Sequence, residues 1–292
     1  MLGLTFPNAP GIVGVEGFCM SEASAETTFD VAIVCALHEK ELGKVKLVAP
    51  ERWASFHVPK DPTTYEKTTY ETKRGQRLRI VAAAAPQMGM AAASNLTTKM
   101  LMHFQPKLVV MVGIAAGVSP EKQAFGDILA PHTTFDYAAG KVTENKDTHA
   151  LDFAPDPMPL PIKANLRDRL LQWQARREQL DAICDVFHGP KPRERLRLHT
   201  DALGSGPSVL GTALPMDEIR VHWRKLMGVE MEAHGVHQAC HDADTPFLCL
   251  KSICDFASAK SDDWQDYAAF TAAQFCYRFL VEEWETLFPN PP

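Results

Sequence analysis

The sequence contains no apolar run approaching the roughly 20 residues that a membrane-spanning helix needs, and no two cysteines in C-x-x-C spacing. The first lack argues against a transmembrane helix, and the second against a simple zinc knuckle or a thioredoxin-like redox pair. Cys19, Cys35, Cys184, Cys240, Cys249, Cys254 and Cys276 are scattered and odd in number, several of them inside apolar runs such as VAIVCAL and FLCLKSIC. They read as buried thiols in a reducing compartment, not as a disulfide framework. Basic excess is also missing: 30 Lys and Arg stand against 36 Asp and Glu, a formal charge of −6. No global field draws a nucleic-acid polymer, so any phosphate recognition is local. Residues 1–28 lack a basic segment and are broken by Pro and Gly, which argues against a signal peptide. They are expected to form a flexible leader, with Met20 a candidate start, ahead of a cytoplasmic protein with no membrane partner.

The hydrophobic content, 46% of 292 residues, is enough to build a large core. FDVAIVCAL (29–37), PKLVVMVGIAAGV (106–118) and TPFLCLKSICDFA (245–257) read as strands covered on both faces. TYEKTTYETKRGQRLRIVAAAA alternates, turns at Arg74-Gly75 and alternates again, as a hairpin does. One further strand is expected within 125–141 and another within 194–206. Helices are expected over 89–104, 164–180, 216–226 and the C-terminal segment, whereas prolines 155, 157, 159 and 161 mark 141–162 as an extended surface loop. Strands and helices alternate without an internal repeat or linker. The fold class is therefore α/β, a single three-layer α/β/α domain over 29–288 with a central mixed sheet.

The stretch GVEMEAHGVHQACH (228–241) gathers Glu232, His234, His237 and His241 at spacings that could suit a metal on one helix face. It also suits a strand of period two, VEME, running into a helix of period near 3.6. His234 follows Glu232 by two positions and need not share its direction, and Gly235 fits a helix packed close to another backbone. The second division is preferred, and no metal site is expected.

Together with VMVGIAAG (110–117) and KSICDFA (251–257), this block resembles, in order and spacing, the nucleoside phosphorylase superfamily. The resemblance is strongest to its methylthioadenosine/adenosylhomocysteine nucleosidase branch and takes in VAIVCALHEKEL and FGDILAPHTTFDY, about residues 29–285. It implies N-glycosidic bond cleavage of a purine nucleoside or nucleotide, with adenine the expected base and no metal or organic cofactor. It also implies a homo-oligomer, a dimer or larger. Breaking an N-ribosyl bond makes the sugar oxocarbenium-like and pushes electrons into the purine. A carboxylic acid near N7 answers that charge, an effect of ~10²–10⁴-fold. The resemblance places Asp255 in that role, although an aspartate there could also be a loop or capping residue. It assigns Glu232 to the ribose hydroxyls and Met231 to packing on the sugar, the alternative for Met231 being core filling. Strand alternation puts Glu230 on the same side as Glu232 as an auxiliary. Gly113 and Ile114 floor the sugar site, and Gln87 and Gly89 line its sugar end.

Two departures matter. The water-orienting glutamate of the nucleosidase branch falls, on counting from Ala36, at Lys40, between Glu39 and Glu41. Either the turn carries an extra residue and Glu41 serves, or Glu39 does; a solvated helix start explains the same charges. Met111 and Ile114 stand where phosphorylases of the superfamily hold phosphate, which favours water over phosphate as the nucleophile. For the base, Val209 replaces the family's stacking phenylalanine, leaving Phe256 or Tyr137 for that task, or both for core packing. Lys191, Arg193, Arg195 and Arg197 form either a solvated face or a site for substrate phosphates. The latter would suit the DY-A-x-GK and KSICDFA wording, which resembles phosphorylase-like modules of bacterial stress or antiviral signalling, some acting on ATP. A phosphorylase and a non-catalytic nucleotide sensor remain the alternatives.

Overall fold

The first strand sets the pattern for the sheet. In β1 (Val31–Cys35) the side chains of Val31, Ile33 and Cys35 enter one core and those of Ala32 and Val34 enter another, all fully buried. Both faces are covered, which is why the run has no polar alternation. The computed structural model describes residues 28–144, 151–207, 219, 221, 223–256 and 262–289. Apart from Thr28, the expected leader lies outside these residues, as do Val209 and five of the eleven residues of the helix expected over 216–226, whose last residue, Leu226, instead opens a strand.

A π-helical turn (His38–Leu42) follows β1 and runs into α1 (Gly43–Val48). The strands β2 (Ala54–His57), β3 (Thr64–Glu71) and β4 (Arg77–Ala84) pair antiparallel in sequence, the β3–β4 hairpin turning through Gly75 at φ 85°. Next come α2 (Met90–Phe104), β5 (Leu108–Gly117), β6 (Ile128–Leu129) and β7 (Thr133–Asp136). The hairpin β8 (Gly140–Glu144) and β9 (Leu151–Pro155) precedes β10 (Leu160–Pro161), α3 (Ala164–Gln174) and α4 (Arg177–Asp185). The chain closes with β11 (Leu198–His199), β12 (Ala202–Ser205), β13 (Leu226–Glu230), α5 (Ala233–Asp242), β14 (Phe247–Phe256) and α6 (Gln265–Leu287).

The main sheet runs β10-β7-β12-β13-β5-β1-β4-β3-β2, with β14 also along β5 and β6, and β11 along β6. It is mixed: β4, β1, β5 and β14 are parallel, while β13 meets β5 antiparallel. Helices α1, α3, α4 and α6 bury their apolar sides on one face, and α2 and α5 on the other. This is the three-layer arrangement expected. Among the described residues no helix is long and apolar enough to cross a membrane.

Three expectations need correction. The 141–162 segment is not wholly a loop: β8 and β9 pair antiparallel from Gly140↔Pro155 to Glu144↔Leu151. The prolines lack N–H donors only from Pro155 onward, so the residues before it remain free to pair. The helix expected over 164–180 is two helices, parted at Ala175 and Arg176. There Arg176 stacks on Trp173 at 4.8 Å and pairs with Glu283 at 2.8 Å, anchoring the break onto α6. The single strands expected within 125–141 and 194–206 are each two short ones. The sheet branches at this point: β6 and β11 pair with each other, whereas β7 and β12 pair further along towards β13.

Where α5 crosses α2, Gly235 leaves no spare room: a Cβ there would lie 2.7 Å from the Met90 carbonyl oxygen and 2.9 Å from Met90 Cβ. A Gly235→Ala substitution should therefore cost about 1–3 kcal/mol by forcing the helices apart. Denaturant unfolding measures this; wild-type stability would show that the crossing has slack.

Candidate active site

The site begins with a lysine in the wrong company. Lys251 sits mid-way along β14, a strand buried on both faces, and is itself 1% exposed. In register it lies beside Gly113 of β5. Its Nζ faces three carboxylates: Glu230 at 3.4 Å, Glu232 at 3.5 Å and Glu41 at 3.9 Å, all of them buried. Burial by itself would lower the lysine pKa, but Glu41, Glu232 and Glu230 outweigh it and raise the pKa above the ordinary value. The ammonium therefore stays charged.

Each carboxylate reaches this point by a different local device. Glu41 rides on the π-turn: Leu42 N donates to Leu37 O, five residues back, so the turn holds one residue more than an α-turn would. An extra residue in this turn is one of the two readings that counting from Ala36 leaves open. Glu41 Oε2 accepts from the amides of Ala36 (2.7 Å) and Leu37 (2.9 Å), and Oε1 from Ile114 (2.8 Å). The carboxylate lies over Gly113, where a Cβ would come within 2.1 Å of Oε1, so only glycine fits. Burial pushes the Glu41 pKa up, against the pull of Lys251 and of the Ile114 and Leu37 amides. Glu39, the other candidate, is exposed, as is Lys40, which donates to Gln265 at the mouth of the site.

Glu230 and Glu232 divide their work. Glu230 accepts from the amides of Glu232 (2.9 Å) and Ala233 (2.9 and 3.0 Å) and from the Ser205 hydroxyl, whose oxygen in turn accepts from His234 N at 2.9 Å. It thus closes the open N-terminus of α5, the position a helix dipole favours for an anion. Burial drives its pKa up to about 7, with Lys251 opposing and Glu232 adding repulsion. Glu232 keeps more of its capacity: Oε1 accepts from Gly89 N at 2.9 Å and Oε2 faces Lys251. Gly89 stands at φ 110°, a conformation open to glycine, and this aims its N–H at Glu232.

Asp255 is brought in by a bulge. The β14–β5 register slips between Ile253 and Asp255, and both Cys254 and Asp255 line the cavity beyond it. The Cys254 thiol donates to Asp255 Oδ2 at 3.4 Å and Ala115 O at 3.6 Å.

One cavity of about 160 Å³ collects Glu41, Ile114, Tyr137, Glu230, Met231, Glu232 and Asp255 on its walls. Gly113 and Gly89 adjoin it through Glu41 and Glu232. Gln87 is exposed and off the wall. Phe256 is also off it, packed on Phe125 with ring centroids 5.3 Å apart and covering Gly117. Lys191 donates to Cys184 O, Arg195 pairs with Asp181 at 3.6 Å and Arg197 donates to Lys122 O; none of them, nor Arg193, lines the cavity. His237 is buried against Phe247 and bonded to Thr134, and burial with His234 and His241 nearby holds its pKa down to about 3. His241 is exposed. Among the described residues no group of three or more His, Cys, Asp or Glu is set to hold a metal.

A cavity walled by strand ends of a mixed α/β sheet, holding carboxylates of this kind, defines a class, and the chain belongs to the phosphorylase superfamily, whose profile matches residues 30–280. Among its relatives are the uncharacterized protein y4jS of Sinorhizobium fredii, 31% identical over 84% of this chain and 59% of its own length. The ATP nucleosidase Cap17 of Escherichia coli is 29% identical over 74% of this chain and 44% of its own. This chain thus spans little more than half the length of these relatives, or less. The 5'-methylthioadenosine/S-adenosylhomocysteine nucleosidase of Marinomonas sp. is 27% identical over 63% of this chain and 72% of its own. In fold, the corresponding nucleosidase of Neisseria meningitidis superposes with a TM-score of 0.63 at 20% identity, covering 86% of this chain and 98% of that one.

Lys251→Met would leave three buried carboxylates without their cation and should cost about 3–5 kcal/mol. Since Glu41 and Glu230 have raised pKa values, they take up protons readily as pH falls, so the loss should shrink towards acid pH. Unfolding curves at neutral and mildly acid pH test this, and an equal loss at both would refute the electrostatic account.

Proposed function

We propose that the chain hydrolyses the N-glycosidic bond of a purine nucleoside, with adenine as the preferred base, and releases the free base. The observation that carries this reading is the meeting of Glu41, Glu232 and Asp255 on one cavity, each from a different part of the chain. Glu232, with lone pairs left after Gly89 and Lys251, accepts the ribose hydroxyls and stabilises positive charge on the ring. Asp255 donates a proton to the purine as the C1′–N bond breaks and its electron pair enters the base. Water bound by Glu41 adds its oxygen to C1′ and passes a proton to the carboxylate. A raised pKa makes Glu41 a stronger base than an exposed glutamate.

Water is favoured over phosphate because the place for an anion is already taken. Met111 is fully buried, Ile114 offers no side-chain donor, and its backbone N–H is spent on Glu41. The preference for adenine, and for a methylthio- or homocysteinyl-substituted nucleoside, draws on the Marinomonas relative. A second reading, a nucleotide nucleosidase, is favoured by the Cap17 relative.

Asp255→Asn should lower base release by ~10²–10⁴-fold with the fold intact. In the unaltered protein, activity should fall on acidification at a higher pH than an exposed glutamate would impose, as Glu41 must be ionised to accept the proton. Glu41→Gln should remove that limb together with most turnover. Base release by high-performance chromatography across pH is the measurement; wild-type turnover in Asp255→Asn, or ribose 1-phosphate formed only with added phosphate, would overturn the mechanism.

Incubation with methylthioadenosine, adenosylhomocysteine, adenosine, AMP and ATP in turn separates the two readings. Free adenine from the first two supports the nucleoside reading, adenine from ATP alone supports the second, and binding without release marks a sensor.

A further inference from the structure

A purine held between Glu232 and Asp255 needs a flat apolar surface beside it. Phe256, the nearest aromatic to Asp255 in sequence, is committed to Phe125 and Gly117, away from the cavity. Among the described residues that line the cavity, Tyr137 is the single aromatic side chain.

Its seat is specific. A Cβ on Gly204 would lie 3.2 Å from Tyr137 Cδ1, and a Cβ on Gly206 would lie 1.9 Å from Cζ and 2.3 Å from both Cε2 and the hydroxyl oxygen. The ring thus lies lengthwise along the end of β12, from Gly204 to Gly206, two residues that share one face of the strand. Any side chain at Gly206 would occupy the ring's own volume. The backbone is pinned as well, because Tyr137 N donates to Ser205 O at 3.0 Å and Gly206 N donates to Glu230 O at 3.0 Å. The ring packs on the small core that contains Phe135 and Val229. A plain core tyrosine would need that contact alone; it would need neither the glycine-cleared bed nor a place on the cavity wall.

We propose that Tyr137 is the surface on which the purine stacks, and that Gly204 and Gly206 clear the bed that holds its ring in place. The ring, at the end of β7, lies back across the end of β12. The phenol stays neutral, since burial, Glu230 and Asp136 push its pKa up to about 12, so a polarisable uncharged face meets the base. This inference rests on the purine nucleosidase reading above.

The test is equilibrium binding of free adenine, by calorimetry, to the unaltered protein and to Tyr137→Leu, Tyr137→Phe and Gly206→Ala, alongside KM and kcat for base release. Loss of the ring should weaken adenine about 10–100-fold and appear mainly in KM. Tyr137→Phe should recover most of the affinity that leucine loses, and Gly206→Ala should mimic leucine by displacing the ring. Should the variants fail to fold, nuclear Overhauser contacts between adenine and the Tyr137 ring in the unaltered protein decide the matter: their presence supports stacking and their absence overturns it. Unchanged adenine affinity in folded Tyr137→Leu also overturns the inference while leaving the nucleosidase reading standing. If the unaltered protein neither binds nor releases any purine, that reading fails and the stacking proposal falls with it.

Discussion

The site depends on one buried cation. Three carboxylates cannot share a water-poor pocket without compensation, because their mutual repulsion grows as the local dielectric falls. Lys251 supplies the compensation, and its position dictates several others. It lies beside Gly113, and that glycine leaves the space through which Glu41 reaches across β5 towards the ammonium. A larger residue would hold Glu41 away and leave the lysine with two partners. The cluster therefore ties β14, β5, the turn after β1 and the start of α5 into a single electrostatic unit.

Within that unit the backbone decides which carboxylate is available to a ligand. Glu230 is consumed by the open end of α5 and by Ser205, so its part is to hold the helix that carries Glu232's neighbours in place. Glu232 spends one bond on Gly89 and one on Lys251 and keeps its remaining lone pairs for the cavity it lines. Glu41 is fixed by three amides, which set its direction and leave little rotational freedom to lose on binding. Two glutamates separated by one methionine thus carry different tasks, and the difference lies in the hydrogen bonds and not in the side-chain type.

Much of this was legible in the sequence. The runs that became β1, β5 and β14 announce burial on both faces, and VEME ending in a helix marks the turn at which Glu232 emerges. That Glu41 and not Glu39 enters the cluster around Lys251 is not legible in the sequence, since spacing alone does not reveal a π-turn, closed here by a hydrogen bond from Leu42 N to Leu37 O. Lys251 escaped notice for the opposite reason. It stands in plain view as the one charge inside FLCLKSIC, and a lysine there must have buried anionic partners, but the spacing does not say which carboxylates those are. The β8–β9 hairpin was hidden by the prolines that follow it. Phe256 misled because proximity along a bulged strand does not translate into a shared direction. The basic run from Lys191 to Arg197 reads as either a solvated face or a phosphate site; in the fold Lys191 and Arg197 donate to carbonyls, Arg195 pairs with Asp181, and none of the four basic residues lines the cavity.

In the hydrolysis proposed above, the preference for water over phosphate rests on the same economy of donors. A strand end rich in glycine exposes amides that could cradle an anion, and phosphate chemistry in such a place needs them free. Here the Ile114 amide, three residues before the end of β5, donates to Glu41, and the Ala36 and Leu37 amides donate to the same carboxylate. An anion entering the pocket would have to displace a fixed carboxylate and then face Glu232 and Asp255 with Lys251 already neutralised. Water meets no such barrier, since it can donate to Glu41 while presenting a lone pair to the sugar. In that proposal one glutamate, carried on a π-turn and lying over Gly113, both positions the small neutral nucleophile and excludes the large charged one.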